Sequence, residues 1–349
     1  MSLLTQAADR VTGGRFTKRS YENRLGRYLE TGQRESGDGE ILTDAFLMSA
    51  GEWLTDSSRR MASGQGQYNF EKANDFLGLW SLPGSKEAAL TNLRRDGYVI
   101  LNTKLDPSIV SELAKKFAQA PCTLISDKEN ALAKGETVTV DFSDPLAEKY
   151  TIDTNYLLSE PSVRNMLLDR GLLEVAQEYI GSVPIVDIVT SWYSFPSDSP
   201  SHNAAQLFHF DLDRIRWVKA FFLLTDQTIE TGAHLYVPGT HKDGVIPRKL
   251  LDRGYSRLED QEVAQFFPET EWKTMEAPAG SILLEDTRGL HKGISLKRDH
   301  RLMLQFEYAQ TLFGPEPFLG TLEFERMTDP YWNDMRSAYP KIFEAFNER

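Results

Sequence analysis

Residues 208–213 read FHFDLD, and the way this stretch is read decides the fold and what the fold carries. Side chains along an extended backbone point alternately to opposite faces. Phe208, Phe210 and Leu212 therefore share one face, and His209, Asp211 and Asp213 the other. Strict alternation is first of all the signature of a half-buried strand with its polar face in water. The second reading makes His209 and Asp211 two metal ligands presented from one face. The surrounding sequence chooses between them.

Around this stretch the pattern is β. The segments PIVDIVTSWYSF, RWVKAFFLLTD, GAHLYVPG, GSILLED and HRLMLQFEYAQ are short apolar or alternating runs separated by turns rich in Gly and Pro. Such a series points to a sandwich or barrel. Helices come first. Residues 98–101 suit a strand. Asp106 then suits an N-cap and Pro107 the first helical position, in a helix whose Ile109, Val110, Leu113 and Phe117 make one apolar stripe. A second helix is expected from near Pro161 to Gly181, broken at Gly171. A short one is expected over 257–267, with a capping-box start at Ser256 and Glu259. The predicted fold is mainly β with flanking helices (α+β), built on a double-stranded β-helix (jelly-roll, cupin-like) core.

Three parts are expected. Residues 1–85 form a polar, glycine-punctuated, solvated and partly helical extension; its first 60 residues hold nine acidic and nine basic side chains. Residues 86–315 form the jelly roll, and 316–349 a C-terminal tail packing on it. With 349 residues, 40% of them hydrophobic, the chain can bury a sizeable core. A net charge of −12 argues against a nucleic-acid partner. The single cysteine, Cys122, excludes an internal disulfide and a Cys-based zinc site, and fits a reducing, cytoplasmic compartment. The sequence shows neither a signal-peptide pattern nor an apolar run of membrane-spanning length, so no membrane partner is expected.

The chemistry turns on six histidines, His202, His209, His234, His241, His291 and His300. A non-haem Fe(II) site takes two histidines and one carboxylate on one octahedral face and leaves the remaining positions open. His209 and Asp211 supply two ligands from one stretch. His291 is the best third candidate, because it follows a strand over 281–285 and sits where a loop can aim it into a barrel mouth. Ten residues on comes Arg301. Alternation places Arg301, Met303, Gln305 and Glu307 on one face of the last strand. A guanidinium on an inner sheet face needs an anion, and its planar fork suits a carboxylate. The plainer reading pairs it with Glu307.

The order His209-Phe210-Asp211, then GAHLYVPGTHKDG, then His291 and Arg301, with DGYVIL and an amphipathic helix ahead, resembles the Fe(II)/2-oxoglutarate dioxygenases and, more narrowly, the phytanoyl-CoA dioxygenase family. The likeness runs from about residue 88 to 312. It implies that His209, Asp211 and His291 hold iron and that Arg301 holds the distal carboxylate of 2-oxoglutarate, with O2 as the oxidant. Lys219 and Phe221 are candidates beside the co-substrate. Gly293 departs from the family pattern where a hydroxyl-bearing residue can occur, and Phe221 where a tryptophan can. The carboxylate ligand Asp211 argues against the related halogenases, which vacate that position for halide, and for hydroxylation or another oxidation of a C–H bond in a small-molecule substrate. His202 and Trp192 are candidate substrate contacts. His234, His241 and His300 take structural roles, and Asp213 is read as a solvated carboxylate. Residues 246–276 are a candidate lid. The acidic chain lacks an obvious basic cluster for a CoA phosphate, and the sequence leaves a homodimer open. Two rival readings keep the fold: a cupin-type iron oxygenase without 2-oxoglutarate, and a non-catalytic binding module.

Overall fold

The computed structural model describes residues 17–64, 66–125, 137–197, 205–316 and 329–346. A large antiparallel sheet is built from β1 (Tyr98–Lys104), β2 (Cys122–Ile125), β3 (Lys149–Ile152), β4 (Ile185–Ser194), β5 (Trp217–Leu223), β8 (Ser281–Glu285) and β10 (Arg301–Ala309). Their order in space is β1-β8-β5-β10-β4-β3-β2. A small sheet, β7-β6-β9, holds β6 (His234–Tyr236), β7 (Lys273–Met275) and β9 (His291–Gly293). Phe221, Leu223, Leu283 and Met303 of the large sheet meet Tyr236 and Met275 of the small one in a compact apolar cluster. This is the jelly-roll core.

Alternation along β10 sorts its two faces as the sequence implies. Leu302, Leu304, Phe306 and Tyr308 join the main core, while Met303 joins the cluster between the sheets. The outer face is covered by α4 (Ser85–Asp96) against β1 and α6 (Arg170–Ile180) against β5. Between them, α5 (Pro107–Phe117) starts as expected, with the Asp106 carboxylate accepting the Ser108 N–H at 2.8 Å.

Several local expectations change. β1 extends to Lys104. The second predicted helix is broken at Asp169, between a helix over Pro161–Leu167 and α6, and not at Gly171. Asp169 caps α6 by accepting from Leu172 N–H at 3.0 Å, and it also accepts from Leu77 N–H at 2.9 Å. Gly171 instead permits close packing: a Cβ there would sit 2.8 Å from that of Leu79. The short helix runs over Asp260–Ala264, and its capping box joins Glu259 and Glu262; Ser256 takes no part. Glu262 sits at N3, so its carboxylate reaches back to the Glu259 N–H at 2.8 Å.

From residue 17 onward, the described part of the N-terminal segment packs into the core. Tyr21, Leu42, Phe46 and Leu54, from α1 (Lys18–Thr31), α2 (Asp38–Ser49) and α3 (Glu52–Gly64), are buried in the main core. Tyr21 meets Phe313 with ring centroids 6.3 Å apart, and Phe46 meets Phe210 at 5.3 Å. Its polar composition hid an apolar residue on each helical turn facing the core. At the other end, Trp332, Met335 and Phe343 are buried, and Asp329 accepts from Arg164 at 2.8 Å. Among the described residues no helix is long and apolar enough to cross a membrane.

Candidate functional site

FHFDLD turns out not to be a full strand. Phe208 bridges Leu258, and His209 bridges His291 through mutual backbone bonds of 3.0 and 2.9 Å. Asp211 N–H then donates to Thr287 O at 2.7 Å. The stretch thus adjoins β9 through the isolated His209–His291 bridge, and beyond it a single bond to Thr287 O replaces a ladder. The alternation of faces survives. Phe208 packs edge-on against Trp272 at 4.8 Å, and Phe210 is held between Phe46 and Tyr255. His209 and Asp211 point the other way.

There they meet His291. Asp211 Oδ1 lies 3.7 Å from His209 Nε2, and its Oδ2 lies 3.8 Å from His291 Nε2. Facial ligands held at right angles about 2.1 Å from one ion are about 3.0 Å apart, so the three groups converge on one position with spacings less than about 1 Å wider than a bound ion would draw them to. The tautomers fit as well. His209 Nδ1 is 2.9 Å from Leu207 O, and His291 Nδ1 is 2.9 Å from Gly289 O. A carbonyl only accepts, so each Nδ1 carries the proton and each Nε2 presents a lone pair. Burial holds both imidazoles below the usual histidine range and therefore neutral; for His209 the neighbouring His291 adds to this. Burial opposes ionisation of Asp211, yet the Lys219 ammonium, by its charge and its hydrogen bond, outweighs it and holds the carboxyl below the usual range. Two neutral imidazoles and one carboxylate form the donor set of a facial triad.

Lys219 is not at the surface. It is buried on β5, with Nζ 2.7 Å from Asp211 Oδ2, 2.7 Å from Asp213 Oδ2 and 3.5 Å from Glu307 Oε2. Asp213, read from sequence as solvated, is one arm of this clamp. The lysine fixes the Asp211 carboxylate from behind, a supporting role that the sequence did not suggest.

Arg301 is buried at the start of β10. It does not pair with Glu307, which alternation places six residues along the same face beside Lys219. Its Nη1 donates to Gly232 O at 2.5 Å and its Nη2 to Ser194 Oγ at 3.2 Å, while its Nε is buried without a hydrogen-bond partner. Among the described residues no carboxylate reaches it. A Cβ at Gly293 would sit 3.1 Å from Nη1, so the glycine keeps the approach to the guanidinium open. Ser194 was missed; it lies directly across from Arg301 in the β4–β10 register.

Trp192 packs edge-on against Phe221, ring centroids 6.5 Å apart, beside the apolar cluster between the sheets. His234, read as structural, is a site residue by position: its ring centroid is 5.4 Å from that of His291, and its Nε2 is 3.4 Å from Glu285 Oε1. Burial pushes His234 down and Glu285 up, which makes this a neutral pair. The only signal in the sequence was its alternation with Tyr236, whose cross-strand partner is His291. His241 and His300 stay away from the metal position; His300 packs on Phe142 at 4.9 Å. His202 lies outside the described residues.

The profile of the phytanoyl-CoA dioxygenase (PhyH) family matches residues 93–295. No curated protein shows a match to the chain. Similar solved structures include the epimerase SnoN in complex with Fe3+, alpha-ketoglutarate and nogalamycin RO, at 18% identity over 71% of this chain and 94% of that one, TM-score 0.49. HygX from Streptomyces hygroscopicus, with nickel and 2-oxoglutarate bound, is 18% identical over 65% of this chain and 88% of its own, TM-score 0.47. The chain belongs to the phytanoyl-CoA dioxygenase family, whose members are non-haem iron- and 2-oxoglutarate-dependent enzymes.

Proposed function

We propose that this protein oxidises an unactivated C–H bond of a small-molecule substrate, by hydroxylation or a related outcome, with Fe(II), 2-oxoglutarate and O2, releasing succinate and CO2. His209, Asp211 and His291 are the proposed metal ligands, and Arg301 the proposed anchor for the distal carboxylate of 2-oxoglutarate. The observation that carries this reading is the pair of Nδ1–H bonds to Leu207 O and Gly289 O, which free both Nε2 atoms toward one carboxylate.

Iron with 2-oxoglutarate supplies the oxidising power that no side chain has. The chain's own part is to bind and orient. Lys219 holds Asp211 in place. Arg301, with Ser194 and the gap left by Gly293, receives the carboxylate; Phe221 and Trp192 keep the intervening space apolar and short of water. Residues 86–315 are assigned the chemistry, with the helices before them and the tail after them as its cover. The segment over 246–276 contributes Tyr255 and Trp272 behind the ligand stretch, in keeping with a lid role.

The cupin-type rival, iron without 2-oxoglutarate, needs Arg301 to be satisfied internally, and its lack of a carboxylate partner favours the first reading. An anaerobic absorption titration of the apoprotein with Fe(II) and then 2-oxoglutarate tests both. The expected result is a visible metal-to-ligand charge-transfer band in the wild type, absent in His291→Ala and Arg301→Ala. Iron binding without a band sinks the 2-oxoglutarate assignment, and no iron binding sinks the metal site and leaves a binding module.

A further inference from the structure

Cations inside the cavity of so acidic a chain need counter-charges, and two of them lack one. Lys219 is matched by Asp211 and Asp213. Arg301 is matched, in the reading above, by the co-substrate. Arg257 and Lys149 remain.

The backbone directs Arg257 inward. Its neighbour Leu258 exchanges bonds of 3.1 and 2.8 Å with Phe208, in an antiparallel bridge beside the one that joins His209 to His291. Leu258 and Phe208 are buried together in the apolar core. Alternation then puts Arg257 on the same side as His209. Arg257 is half-buried, and its Nη1 is fully enclosed without a hydrogen-bond partner. The outward cations of the same region are all engaged: Arg248 donates to the Leu47 and Met48 carbonyls, Arg253 pairs with Glu262, and Lys292 with Asp260. Among the described residues Arg257 alone of these four has no such partner.

Lys149 adds to the same field. On β3 it faces Ser194, which faces Arg301 across the next ladder, so the three form one row over the sheet. Its Nζ lies 4.7 Å over the Trp192 ring. Burial, and then the positive charges of Arg301, Arg257 and Lys219, push its ammonium down to about 8. Cations crowded in this way, with Asp211 and Asp213 already engaged by Lys219, make a local field that attracts anions although the chain as a whole repels them. One 2-oxoglutarate sends one carboxylate to the metal position and the other to Arg301, so it leaves Arg257 unmatched.

We propose that the primary substrate carries an anionic group, a carboxylate or a phosphate, and that Arg257 holds it on the His209 side of the cavity, where Lys149 adds its charge. This rests on the oxygenase reading, because it assigns Arg301 to the co-substrate. The guanidinium fork fixes the charged end, and the body of the substrate then lies along Trp192 and Phe221 toward the metal position.

The test uses protein loaded anaerobically with Fe(II) and saturating 2-oxoglutarate, loading being read from the charge-transfer band. Inorganic phosphate and hexanoate are titrated separately, with tryptophan fluorescence as the signal. At least one anion is expected to bind saturably, and whichever binds tells a phosphate-bearing substrate from a carboxylate. Arg257→Gln is expected to raise its Kd about tenfold or more and Lys149→Met by less, while Arg257→Lys keeps most of the affinity. The band, and with it 2-oxoglutarate affinity, stays unchanged in all three variants, which also shows that they fold. The proposal is overturned if neither anion binds the loaded protein, if binding ignores Arg257→Gln, or if 2-oxoglutarate affinity falls in step. A missing band, with anion binding still lost in Arg257→Gln, instead overturns the oxygenase reading and leaves the anion site standing.

Discussion

The proposed metal position and the proposed carboxylate anchor are finished to different degrees. At the metal end the chain has already oriented each proposed ligand: carbonyls hold both imidazoles by Nδ1, and Lys219 holds the carboxylate. Around Arg301, by contrast, Nε is buried with no hydrogen-bond partner, and among the described residues no carboxylate reaches the guanidinium. Buried polar groups are normally satisfied, so the unfinished end is where a ligand completes the structure. The contrast separates groups built to position something from groups left to receive it.

The sharpest way to break this comparison is at the metal end. His291→Ala is expected to weaken Fe(II) binding by at least about a hundredfold, since even supporting residues are worth ten- to a hundredfold; anaerobic iron titration reads it. At the receiving end, Arg301→Gln should lower 2-oxoglutarate affinity by about thirtyfold or more while iron affinity holds, because truncating one partner of a buried charge pair costs about 2–5 kcal/mol. Isothermal titration with each ligand in turn checks the split. If both affinities fall together, the two ends are not independent. Lys219→Met lies between these cases: it leaves Asp211 and Asp213 without their cation and is expected to loosen iron about tenfold, with 2-oxoglutarate affinity per iron-loaded site retained.

A smaller effect concerns pH and lies outside the cavity. Burial pushes His241 down to about 4, from an ordinary value near 6.5. Between these values the unfolded chain takes up a proton that the folded one refuses, so stability declines as pH falls below about 6.5 and the loss is complete near 4. At pH 5.5 it amounts to roughly 1.4 kcal/mol. Urea unfolding of His241→Asn should show a shallower acid decline than the wild type between pH 6.5 and 5. The smallest effect is expected for Glu285→Gln. Burial keeps this carboxyl protonated, so the amide is a near replacement and thermal stability should change by no more than about 0.5 kcal/mol. A large loss would mean that Glu285 is charged in the folded protein.

Much of the fold was legible because its long elements repeat one instruction many times. β4, β5 and β10 are apolar runs of seven to ten residues, and Asp106-Pro107 marks a helix start by local chemistry alone. Misreadings came where tertiary partners decide. FHFDLD alternates like a strand, yet it finds only Leu258 and His291 to bridge. The helix break sits at Asp169 because that carboxylate has a second task on Leu77. The proposed ligands His209, Asp211 and His291 could be singled out by order and spacing, since a triad limits which residue types qualify, and the fold brings their side chains together. His234, Glu285 and Arg257 were not. Which side of a three-residue strand or a loop faces a cavity is settled by its neighbours, and net charge says nothing of how charge is distributed inside.

Phe210 stands between the two proposed ligands His209 and Asp211 and is clasped by Phe46 of α2 and by Tyr255. Any strain on that ring is delivered to both ligands at once. Metal loading should therefore slow amide hydrogen exchange and proteolytic clipping in α2 and around Tyr255, regions that contribute no ligand. Conversely, a chain shortened through α2 should lose its metal more readily, so that retention of iron becomes a report on how well the amino-terminal helices are docked.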